Sequence, residues 1–101
     1  MIIYNVTTKV AHSIAAEWLE WIKNEHIPEL ISTGCFTHAV VLQLVESDDE
    51  EGTNYAVQYH AESKAFYNKY MEKFADAMRK KSIDKWGDKT ISFRTLMQVV
   101  N

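Results

Sequence analysis

Apolar and polar positions alternate with period two over Ile2–Val10, a stretch rich in β-branched residues, and predict a strand. The period then changes. Ile14, Trp18, Trp21, Ile22 and Glu25 follow a spacing of three and four, four of the five being apolar, so a helix with one buried face is expected, capped by Ser13. Pro28 disfavours helical backbone at Ile27. A break is expected there, with Pro28 starting a short second turn that Thr33-Gly34 ends.

Cys35 to Glu46 reads as a long strand through Phe36, Val40, Val41, Leu42, Leu44 and Val45. An acidic run, Glu46 to Glu51, and Gly52 separate it from a second alternating strand, Asn54 to Ala61, and the two form a hairpin. Ser63 caps a helix expected to run to about Lys85, with a stripe of Phe66, Tyr67, Tyr70, Met71, Phe74, Ala77 and Met78. Arg79, Lys80, Lys81 and Lys85 crowd its C-terminal end, where positive charge suits the helix dipole. Trp86-Gly87-Asp88 turns the chain into a last strand, Thr90 to Val100. The order β-α-β-β-α-β is that of the ferredoxin-like split βαβ pattern, an α+β fold. Right-handed crossovers and the central hairpin favour the strand order 4-1-3-2, with both helices on one face of an antiparallel sheet.

Alternation along the strands divides the sheet into two faces. Ile2, Tyr4, Val6, Tyr55, Val57, Tyr59, Ile91, Phe93, Met97 and Val99 are assigned to the helices. Ile3, Asn5, Thr7, Gln43, Ala56, Gln58, His60, Ser92, Arg94, Leu96 and Gln98 make a mixed, open face. The second strand is apolar on both sides, Phe36, Val40, Leu42 and Leu44 on one and Ala39, Val41 and Val45 on the other, so both sides are expected to be covered. The simplest second cover is another copy of the sheet, giving a homodimer through Asn5, Val41, Gln43, Ala56, Gln58 and Arg94.

Composition narrows the classes. The 101 residues suit one domain spanning 1–101, and a net charge of −3 argues against a basic nucleic-acid binder. The single cysteine excludes an intramolecular disulfide framework and suits a reducing cytoplasm. The N-terminus lacks the pattern of a signal peptide, and no apolar run approaches the ~18 residues of a membrane helix.

The start Met-Ile-Ile-Tyr-Asn-Val-Thr, the stretches Trp18-Leu19-Glu20-Trp21 and Glu25-His26-Ile27-Pro28, the step Thr33-Gly34-Cys35-Phe36 and the end Phe93-Arg94-Thr95-Leu96 resemble a small bacterial family, domain of unknown function 4286, over nearly the whole chain. Such chains are similar in layout to dimeric α+β barrels, in which two ferredoxin-like sheets face each other. The resemblance implies that fold and a dimer; it implies no activity. The wider group includes heme-degrading monooxygenases that use an Asn on the first strand, a Trp, and a His late in the second helix. Asn5 is on a first strand here, but residues 63–85 contain no His, so no heme is expected by that route.

Candidate chemistry is sparse. His26 sits beside the expected helix break and has the residue type of a general base or ligand contact near neutrality. Trp18 and Trp21 share a helical face that points toward Tyr55 and Tyr59, so these five residues mark the candidate ligand site, for a small aromatic or acidic molecule. The plainer reading makes them core and makes His26 a cap. His12, His26, His38 and His60 lack the i, i+4 spacing of a helical metal site, and three isolated glycines make no phosphate loop, so no metal or cofactor is expected. RNA binding on an open sheet needs aromatic stacking residues, which the central strands lack on the face assigned to solvent. The function expected is a non-enzymatic or small-molecule-binding cytoplasmic homodimer. The alternative is a cofactor-free monooxygenase acting on an aromatic substrate.

Overall fold

In a computed structural model describing residues 1–101, four antiparallel strands are ordered β2-β3-β1-β4. They are β1 (Ile2–Ala11), β2 (His38–Gln43), β3 (Gly52–Ala61) and β4 (Thr90–Gln98). This is the expected order read from the other edge. The helices α1 (Ala15–Trp21), α2 (Ile27–Ser32), α3 (Lys64–Lys73) and α4 (Ala75–Trp86) lie on one side of the sheet. No helix is long and apolar enough to cross a membrane.

The helix does not break at Pro28. A π-turn, Ile22–His26, joins α1 to α2 with helical backbone throughout, and the Ile27 N–H bonds back to the Ile22 carbonyl. The wider turn accommodates the missing proline N–H and relieves the clash of the ring with the preceding turn. His26 therefore sits in a continuous helix rather than at a helix break. Neither Ser13 nor Ser63 makes a capping bond: Ser13 lies inside a 3₁₀ turn, His12–Ile14, and Ser63 is extended. The second long helix is offset at Phe74 (φ −126°), which leaves Phe66 and Ala77 exposed while Tyr70, Ala75 and Trp86 are buried.

Strand register corrects the face assignment. On β1 and β3 it stands as expected: Tyr4 opposes Tyr59 and Val6 opposes Val57, on the helix side. On β4, however, Leu96 opposes Tyr4 and Arg94 opposes Val6. Antiparallel partners share a face, so Ser92, Arg94, Leu96 and Gln98 look toward the helices, and Ile91, Phe93 and Met97 look away. On β2, Val41 opposes Val57 and Gln43 opposes Tyr55, so both lie on the helix side, while Val40 and Leu42 lie on the open face. Apolar residues on an edge strand were read as core-facing, but the helices pack on β1 and β3 and leave β4 uncovered.

The core is aromatic around Tyr4, whose ring lies 5.5–6.0 Å from Phe36, Tyr59, Tyr67 and Tyr70. Gly52 opens β3 opposite Ala11, and a Cβ there would come within 2.4 Å of the Val10 carbonyl oxygen. Backbone cannot yield as a side chain does, so Gly52→Ala should destabilise by at least ~2 kcal/mol in urea unfolding. An unchanged midpoint would show that this approach is looser than described.

Candidate functional site

Between the helix layer and the exposed β4 edge lies a cavity of about 40 Å³. Its buried end is apolar, formed by Trp18 and Ile22 from the first helix, Leu30 from α2 and Val57 from β3. Its open end is polar. Ser82 from α4 and Ser92 from β4 are half-buried there, and Arg94 is exposed. The gap follows from the topology: β4 is largely exposed, so the side chains of β1 that border it are only partly roofed.

Two guanidiniums meet at one phenol in this cavity. Arg94 Nε donates to the Tyr4 hydroxyl at 3.1 Å, and Arg79 Nη2 donates to the same oxygen at 3.4 Å. The bond to Tyr4 is the first cause that raises the Arg79 pKa. A second Nη2 contact runs to Met71 Sδ at 3.8 Å, but Arg79 Nε is buried with no acceptor. Thr8 and Ser92 share a hydroxyl–hydroxyl bond of 2.9 Å across β1 and β4. Burial pushes the hydroxyls of Tyr59 and Tyr70 up from the ordinary phenol range, with Tyr4 adding to both; Arg79 and Arg94 act in the opposite sense on Tyr70.

His26 borders the cavity from the π-turn, its ring stacked on Trp21 at 4.5 Å, and its Nδ1 is buried without a partner. Burial lowers its pKa to about 4, with Lys81 acting in the same sense and Glu29 against it. The imidazole is therefore neutral at pH 7.

The family comparison can be set against this geometry. A family model described as a domain of unknown function, DUF4286, matches residues 1–100. The chain belongs to that family. A search of curated proteins finds no match to the DUF4286 chain. Among solved structures it is similar to an ethyl tert-butyl ether degradation (EthD) family protein from Bacillus halodurans, at 12% identity and a TM-score of 0.66. The match covers 99% of the DUF4286 chain and 100% of the other. At that identity the likeness shows the fold alone, an α+β ferredoxin-like arrangement.

Of the five residues proposed from sequence as a ligand site, the DUF4286 structure brings Trp18, His26 and Tyr59 to the cavity wall. Trp21 is turned away, edge-on to Trp86 at 5.8 Å with His26 on its face. Tyr55 lies behind Trp18, stacked at 5.3 Å. Of the six residues proposed for a dimer interface, Asn5, Ala56 and Gln58 lie on the open face, and Val41, Gln43 and Arg94 do not.

The sequence does not single out Arg79, which stands in a basic cluster that suits the helix dipole, or Tyr70 as a cavity wall. Alternation places Arg94 on the open face, whereas the register turns it to the helix side. The polar residues Ser92 and Arg94, alternating with the apolar Ile91 and Phe93, are the available signal. His38 and His60, scattered in sequence, meet across β2 and β3 with ring centroids 4.1 Å apart. No group of three or more His, Cys, Asp or Glu side chains is placed to hold a metal ion.

Proposed function

We propose that this DUF4286 protein is a non-enzymatic homodimer that binds a small molecule in the cavity between helices and sheet. The observation that carries the reading is the composition of that cavity: an apolar end walled by Trp18 and Ile22, and convergent polar groups from Tyr4, Arg79, Arg94 and His26. Apolar walls with a few placed polar groups are the usual makeup of a ligand site. The protein is read as cytoplasmic, consistent with its one buried, unpaired cysteine.

The dimer rests on the open face. Val40 and Leu42 on one edge and Ile91, Phe93 and Met97 on the other are all exposed, flanking a centre of buried Asn5 and Ala56. Apolar side chains clustered on one face of a sheet favour a covering partner. A second copy of the same face supplies one by two-fold symmetry, as in the barrels to which the chain is similar.

Cofactor-free oxygenation of an aromatic substrate is less well supported. A cavity that holds benzene measures about 150 Å³, and this one is far smaller.

A thermal-shift screen of compounds of four to six heavy atoms tests the binding reading. Hits should raise the melting temperature of the native protein and vanish in Val6→Leu, which adds a methylene to the cavity wall. Hits that persist in Val6→Leu, or no hits at all, would count against it.

A further inference from the structure

The two arginines of the cavity have no anion. The ion pairs of the molecule, Lys80–Asp84 and Lys81–Glu29, both use lysines outside it. None of the side chains lining the cavity is acidic. Asp76, on the preceding turn of α4, is near enough to raise the Arg79 pKa but forms no ion pair with it. Arg79 and Arg94 instead share one phenol oxygen, an arrangement that holds two like charges close together with no carboxylate between them. Arg79 Nε adds a buried donor with no acceptor, and buried donors in folded proteins are nearly always satisfied.

We propose that Arg79 and Arg94 are an anion site and that the ligand of this cavity is a short aliphatic carboxylate. This rests on the binding reading above and names its ligand class. The carboxylate sits at the open end, accepting from the terminal N–H groups of the two guanidiniums, with the Tyr4 hydroxyl and Ser82 beside it. A planar carboxylate matches the forked donors of arginine better than a spherical anion does. The tail enters the apolar end against Trp18, Ile22 and Val57.

Three features narrow the class. The small volume leaves room for only a few aliphatic carbons at the apolar end, the carboxylate itself lying at the open end. The apolar end gives inorganic phosphate nothing to bury. His26, held neutral, adds no third positive charge that would select a more highly charged anion.

The test is a calorimetric titration at fixed ionic strength with sodium isobutyrate, isobutyramide, sodium benzoate and inorganic phosphate. The proposal expects isobutyrate to bind at least tenfold more tightly than isobutyramide, and benzoate and phosphate more weakly than isobutyrate. Arg94→Gln, on an exposed edge strand, and Arg79→Gln should each weaken isobutyrate at least tenfold and leave isobutyramide unchanged. Should Arg79→Gln fail to fold, Arg94→Gln carries the comparison. Equal binding of acid and amide would overturn the anion assignment while leaving a binding cavity in place. Phosphate binding as tightly as isobutyrate would overturn the carboxylate class. Binding of none of the four would overturn the ligand class, and together with no hit in the thermal-shift screen the binding reading as well; hits only among uncharged compounds in that screen would overturn the class alone.

Discussion

Leu42→Asp combined with Phe93→Asp should convert the proposed dimer to monomers in sedimentation velocity. Both residues lie on the open face, 41% and 68% exposed in the single chain, one on each edge strand. Neither supports the core, so the monomer should keep its fold. In a two-fold interface every introduced carboxylate appears twice, and juxtaposed or desolvated like charges cost several kcal/mol. A loss of ~4 kcal/mol corresponds to a roughly thousandfold weaker dimer. Val41→Asp would be a poor probe, because Val41 packs on the helix side and its substitution would unfold the chain rather than separate it. A dimer of unchanged affinity carrying both aspartates would place the interface elsewhere.

Acid should destabilise the protein through His26. Its folded pKa, about 4, lies below the 6.5 of a free imidazole. Between these values the unfolded chain binds the proton more readily than the folded one, so stability is fully present above pH 6.5 and falls as pH drops toward 4. The shift corresponds to a ceiling of roughly 3–4 kcal/mol, less whatever solvent screens at a half-buried ring. His60 also has a lowered pKa, from burial first and His38 second, so the wild-type curve alone does not isolate His26. The comparison is with His26→Phe, which keeps an aromatic ring on Trp21 and removes the titration. Urea unfolding at pH 7 and pH 4.5 should show a smaller acid loss in the variant. The same loss in both proteins would mean that His26 is solvated and titrates normally.

The topology was legible because each element has a distinct period and the two strands of the central hairpin alternate cleanly. Tyr4, Val6, Val57 and Tyr59 could be placed on the core face from alternation alone, since β1 and β3 lie under the helices. The same rule failed on β4. There Ile91, Phe93 and Met97 look like core, yet the register puts them on the open face. An apolar edge strand has two ways to bury its residues, against helices or against a partner, and the alternation is identical for both. The register that decides is set by pairing with β1, which sequence alone does not display.

That slip also hid half of the cavity, because Arg94 reaches Tyr4 only from the helix side. Trp18 and His26 were visible as an indole and an imidazole on one helix. The π-turn that carries His26 was not, because Pro28 signals a break far more often than a widened turn. Arg79 sits in a basic cluster whose other members are exposed, so nothing local distinguished it.

The most direct measurement of the account is an isobutyrate titration followed through the three indole N–H resonances of a ¹⁵N-labelled sample. Trp18 walls the cavity, Trp21 is turned away from it, and Trp86 packs against Trp21. Binding in the cavity should give a saturable shift of the Trp18 resonance, with Trp86 nearly stationary. A titration in which Trp18 stays still, or in which all three move together without saturating, would contradict it.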